Sequence, residues 1–179
     1  MIKSSILLFT ALTLAAVAKA PAQASPAAGG LTDPQIAMIA VTADNVDIDA
    51  GKLAEQKATS KEVKDFGATM VRDHTAVNTK ATALAKKLNV TPEESTASKG
   101  LKADGDAMLT KLKGLSGAEF DKAYVDNEVA YHEKVIQTVT KTLIPNTKNA
   151  ELKALLESAG PILTSHLEHA KHLQASLKK

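Results

Sequence analysis

Five residues with proton-holding or metal-ligating side chains interrupt an otherwise apolar helical pattern: Asp47, His74, Glu128, His132 and His166. Imidazole nitrogen and carboxylate oxygen together suit iron, manganese, zinc or copper better than calcium or magnesium, which prefer oxygen ligands. Burying charge is costly unless it is paired or bound to a metal, so several such residues on inner faces ask for one explanation. Glu128 and His132 stand one helical turn apart and share a face. The 179 residues include no Cys, which removes thiol catalysis, disulfides, iron–sulfur clusters and thiolate zinc sites. Nor is there a Gly-x-Ser-x-Gly elbow or a glycine-rich phosphate loop, and Asp47 and Asp49 point to different faces of a helix. With no catalytic motif, binding is a better reading than enzymatic turnover.

The elements that must position these residues are helical throughout. Asp33 is a candidate cap, with Pro34 at the first helical position and Ile36, Ile39, Ala43, Val46, Ala50 and Leu53 as the seam, ending near Lys57. An equally regular line through Ile36, Ala40, Ala43, Asp47, Ala50 and Ala54 turns Asp47 inward. Thr59 with Glu62 predicts a capping box for a second helix, whose seam is Val63, Gly67, Met70, His74, Val77, Ala81, Leu84 and Leu88, stopping at Asn89. Thr91, Pro92 and Glu94 signal a third, shorter helix carrying Leu101, Met108, Leu109 and Leu112. Ser116 with Glu119 opens a fourth, with Phe120, Tyr124, Val125, Glu128, His132, Val135 and Val139 inward, closed before Pro145. The fifth runs from Asn149 to Leu177 through Leu152, Leu156, Ala159, Leu163, His166, Ala170 and Leu173, with a kink or break expected at Gly160-Pro161. The fold class is therefore all-α: a four-helix bundle with an additional short helix between its two hairpins.

Antiparallel geometry places the five residues together. With the first turn between residues 58 and 59, His74 is level with Ala43 and Asp44 and about 5–6 Å from Asp47 along the axis, at roughly 1.5 Å per residue. With the last turn near Thr147, Glu128 and His166 are level, and His132 sits about 6 Å nearer the loop. One cavity holding one divalent transition metal is the expectation; hydrogen-bonded core histidines without metal are the alternative. The spacing departs from a di-iron centre: Glu128 and His132 are four apart where Glu-x-x-His is needed, and Val71 precedes His74 where a Glu is needed. A second arrangement, His166, His169 and His172 along one helix edge, is weaker. His169 and His172 read as solvated residues that favour the negative helix end.

Before the bundle, Lys3, the apolar run Ile6 to Val17 and the small-residue site Ala22-Gln23-Ala24 predict a signal peptide over 1–24, and hence export to the periplasm. That run is too short for a stable membrane anchor. Residues 25–32 read as a flexible leader, and residues 33–177 as the helical bundle domain. The net charge of +2 resides entirely in Lys3 and Lys19, so the mature chain is neutral and offers nucleic acid no basic surface.

Gly51-Lys-Leu-Ala54, the segment Ser60 through Met70-Val-Arg-Asp-His74, Phe120-Asp-Lys-Ala-Tyr124 through His132, and Pro161 through His166-Leu167 together resemble the exported bacterial family called domain of unknown function 4142, itself similar to ferritin-like bundles. The resemblance covers about residues 33 to 175. It implies a periplasmic or envelope-associated ferritin-like four-helix fold and a metal or small-ligand site, without implying a reaction. Asp47 stands where the resemblance leads one to expect Glu, and Glu128 where Gln is common, so the metal stays open among iron, manganese, zinc and copper. The expected function is metal binding, in stress response or metal handling; the alternative is a metal-free envelope structural or interaction protein. Oligomeric state is not encoded in any motif.

Overall fold

A computed structural model describes residues 30–178, so the predicted signal segment and most of the leader lie outside the described residues. Four long helices make the bundle: α1 (Asp33–Lys57), α2 (Lys61–Leu88), α4 (Gly117–Thr138) and α6 (Ala150–Ser176). The third, α3 (Thr96–Lys113), lies between the two hairpins and packs on α1. A π-helical turn, Val139–Leu143, and a single helical turn, α5 (Ile144–Asn146), extend α4. Pairs α1–α2 and α4–α6 form the hairpins, and α2–α6 and α1–α4 contacts join them. Among the described residues there is no strand, and no helix is long and apolar enough to cross a membrane.

Helix starts differ from the expected ones by a residue or more, each for a local reason. Thr32, not Asp33, caps α1: its hydroxyl accepts the Gln35 N–H while the Gln35 side chain accepts the Thr32 N–H. Asp33 is thereby released, and its carboxylate accepts the amides of Lys148 and Asn149 at 2.8 Å each, tying the first turn of α1 to the start of α6. Ser60, not Thr59, caps α2 by accepting the Val63 N–H. Thr59 instead donates its N–H and hydroxyl to Asp121 of α4, and the Ser60 N–H joins them there. A Ser95–Ser98 capping box starts α3, rather than the Thr91, Pro92 and Glu94 signal. Ser116 is the residue before α4, but its side chain makes no cap bond.

Both prolines in the second hairpin are accommodated within helical backbone. The fourth helix does not close before Pro145: the π turn, in which the Ile144 N–H reaches Val139 O, leads into α5 with Pro145 in its first turn, so the helical path passes the proline. Pro161 sits inside an uninterrupted α6, so no break occurs at Gly160-Pro161. Pro161 and Glu157, four residues before it, both lie on the exposed face of α6, and the Gly160 carbonyl accepts the Thr164 hydroxyl at 2.9 Å.

The interior is two apolar clusters separated by a polar layer. One contains Leu53, Phe66, Met70, Phe120, Tyr124, Val125 and Leu173. The other contains Ile36, Ile39, Val139, Leu143, Leu152, Leu156 and Leu163. On every bundle helix the switch between clusters falls at buried polar residues: Asp44 and Asp47 on α1, His74 on α2, Glu128 and His132 on α4, and His166 on α6. The α1–α2 spacing that joins two of these helices is set by glycine. A Cβ on Gly51 would lie 2.7 Å from the Gly67 carbonyl oxygen, and one on Gly67 would lie 2.8 Å from the Gly51 oxygen.

Candidate metal centre

The five sequence-predicted residues all lie in this layer, none more than 4% exposed. They fall into two triads. His74, His132 and His166 each offer a ligand atom within 4.8 Å of those of the others, and Asp47, Glu128 and His132 do the same. Glu128 therefore groups with Asp47 and His166 with His74, while His132 belongs to both.

Each of the three imidazoles has one nitrogen engaged by the protein and the other without a hydrogen-bond partner. His74 Nδ1 lies 2.8 Å from Asp44 Oδ1, His132 Nδ1 lies 3.0 Å from the Glu128 carbonyl, and His166 Nε2 lies 3.0 Å from Asp73 Oδ2. His74 Nε2, His132 Nε2 and His166 Nδ1 are buried and unpartnered, as are both carboxylate oxygens of Glu128. Asp47 Oδ2 approaches His74 Nε2 to 3.2 Å without hydrogen-bond alignment. Asp73 is itself held by a two-pronged contact from neighbouring Arg72, at 2.7 and 3.1 Å. An acceptor on one ring nitrogen fixes the tautomer and aims the other nitrogen, which is how histidines are prepared for a metal.

Burial dominates the electrostatics. It pushes the Glu128 carboxyl up to about 8 and raises Asp47 well above the usual range, helped there by the neighbouring Glu128 and Asp44 carboxylates. Burial also holds the His132 imidazole down at about 3, with His74 adding to the effect, and lowers His166 against the opposing pull of Asp73. Arg72 keeps Asp73 below the ordinary carboxylate range. Burial thus disfavours charge on the His132 and His166 imidazoles and on the Asp47 and Glu128 carboxyls alike.

Asp44 and Asp73 escaped the sequence reading as participants. The signal for Asp44 was its place level with His74 across the first hairpin; Asp73 gave none beyond adjacency, since it pairs with Arg72 like a surface residue. Tyr131, also unforeseen, donates its hydroxyl to the Ala43 carbonyl at 3.0 Å beside the layer. His169 and His172 are exposed, and the His169 ring rests edge-on against Phe66 with centroids 4.9 Å apart.

Residues 18–173 match the family described as "Domain of unknown function (DUF4142)". No curated protein matches the chain. Among solved structures, the fold is similar to that of "CopM in the Cu(II)-bound form", with a TM-score of 0.65 at 16% identity, covering 82% of this chain and 98% of that one.

Proposed function

The chain belongs to the DUF4142 family, and from that premise we propose that it is an exported ferritin-like protein that binds one transition-metal ion in its polar layer, serving metal handling or stress protection. The observation that carries this reading is the set of three buried imidazoles, each with one nitrogen bare and each offering a ligand atom within 4.8 Å of those of the others. Buried polar atoms left unpaired each cost about 1–3 kcal/mol, and a shared cation removes several such penalties at once. His74, His132 and His166 would hold the ion, with Glu128 and Asp47 as the adjoining oxygen donors. Bound there, the ion would supply a Lewis-acid or redox centre among buried side chains. Copper leads among the candidates, because the solved structure of similar fold carries Cu(II). Zinc, iron and manganese follow from the same ligand chemistry.

Titration of metal-free protein with Cu(II), Zn(II), Mn(II) and Fe(II) by calorimetry and thermal shift is the test. The expected outcome is saturable one-to-one binding that raises the melting temperature and is lost in His74→Ala, His132→Ala and His166→Ala, with folding checked by circular dichroism. Absence of saturable binding, or its loss only in His169→Ala and His172→Ala, would overturn the buried centre and leave the metal-free envelope protein as the reading. Export with cleavage after Ala24 accompanies the proposal and is checked by the intact mass of periplasmic protein; a species retaining Met1 would contradict it.

A further inference from the structure

The bundle does not close along its whole length. Beyond His74 the α2 seam residues Val77, Ala81, Leu84 and Leu88 are only half-buried, although their spacing is as regular as that of the buried residues before them. With Leu155 and Ile162 of α6 they line a cavity of about 580 Å³. That volume lies within the range of about 300–1,000 Å³ that holds small organic ligands, and the walls are aliphatic, as such sites are. Charged side chains are confined to its two ends, Asp44, Asp47 and His74 at the polar layer and Asp33 and Lys86 at the far end of the bundle, with Thr82 the one polar side chain of α2 between them. From His74 to Lys86 the cavity runs along α2 for about 18 Å at 1.5 Å per residue, so it is elongated.

The inner end decides what kind of head group fits. Two carboxyl groups meet it, together with the buried and unpartnered His74 Nε2. Among the described residues, Lys86 is the only Lys or Arg lining the cavity, and it stands at the opposite end. A ligand carboxylate would therefore be desolvated against acidic neighbours with no cation to receive it, whereas an amine or hydroxyl would donate to them. We propose that this cavity binds an elongated aliphatic molecule with a hydrogen-bond-donating head, an amine or an alcohol, whose head sits at Asp44, Asp47 and His74 and whose chain lies between α2 and α6. The site shares His74 and Asp47 with the proposed metal centre and leaves His132, His166 and Glu128 outside its lining.

The test uses chelator-treated, metal-free protein with decylamine, 1-decanol and decanoate as probes, read by calorimetry and thermal shift. Decylamine or decanol is expected to bind one-to-one and raise the melting temperature with ligand concentration, and decanoate to bind at least about tenfold more weakly. Ala81→Phe and Ala159→Phe fill the cavity from opposite walls. Each is expected to weaken the favoured probe about tenfold while metal stoichiometry and the circular-dichroism melt stay as in wild type. No saturable binding of any probe, decanoate binding as tightly as the others, or wild-type affinity in both filled variants would overturn the proposal. Because the probes meet metal-free protein, failure of the metal reading leaves this result standing, and failure here leaves the metal result standing.

Discussion

His166 is held by Asp73, His74 by Asp44 and His132 by a backbone carbonyl, so two of the three supports can be altered without touching a proposed ligand. Asp44→Asn and Asp73→Asn are expected to lower metal affinity about 10–100-fold while keeping one-to-one stoichiometry, measurable by competition with a chelator of known affinity. Proton linkage gives a second expectation, for metal-free protein. The unfolded chain releases the Glu128 proton near the ordinary value of about 4.3, whereas the folded protein keeps it to about 8. The stability this contributes is present at low pH and disappears as pH rises through about 8. His132 works oppositely: its folded value of about 3 lies below the unfolded one of about 6.5, so its contribution is present above 6.5 and is lost as pH falls toward 3. Between about pH 6.5 and 8, above the range in which His132 works oppositely, melting temperatures should therefore decline in wild type and decline less in Glu128→Gln. The five polar interruptions were legible in sequence because each breaks an apolar period that a helix would otherwise bury. Their acceptors were not: Asp44 lies off both seams drawn for α1, and that helix buries a wider arc than either because α2, α3 and α4 all pack on it.

Gly51 and Gly67 let α1 and α2 approach until backbone meets backbone, and this approach brings Asp44 and Asp47 onto His74. On an open helix, Gly→Ala gains about 1 kcal/mol from propensity. At these two positions the added methyl meets a carbonyl oxygen, so Gly51→Ala and Gly67→Ala are expected to destabilise by about 1–3 kcal/mol in urea melts and to weaken metal binding. Gly160→Ala is the internal comparison: an added methyl there would have no neighbour within 4 Å, and the change should be neutral or stabilising by up to about 1 kcal/mol. Asp121→Ala removes the acceptor for Thr59 and Ser60 at the first hairpin turn, and a loss of about 1–3 kcal/mol is expected. The order of the long helices and the inner faces of α4 and α6 could be read from periodicity, whereas α3 buries Ser98 and Gly105 with Leu112 and leaves Leu101, Met108 and Leu109 half-buried. The caps could not be placed to the residue, because Thr32 and Asp33, or Thr59 and Ser60, are equally good capping types and only the opposing helix decides which is drawn elsewhere.

Across the molecule, the two apolar clusters supply the burial that holds the polar layer in place. Leu163→Ala, in the cluster below the layer, should cost about 2–5 kcal/mol. Lys171→Ala, with its half-exposed ammonium 3.3 Å from Glu133, should stay within about 0.5 kcal/mol. Comparable losses in the two denaturation curves would mean that the inner face of α6 is wrongly drawn. The open stretch of α2 shows why periodicity alone could not reveal the cavity: Val77, Ala81, Leu84 and Leu88 continue the seam in sequence, but burial depends on how far α6 stands away. The clasp between Asp33 and the amides of Lys148 and Asn149 joins positions 115 and 116 residues apart. A contact of that separation waits for almost the whole chain to be in place, so it forms on the native side of the folding barrier. In stopped-flow experiments, Asp33→Ala should accelerate unfolding several-fold and leave the refolding rate nearly unchanged, making this clasp a determinant of how long the folded protein lasts more than of how fast it is made.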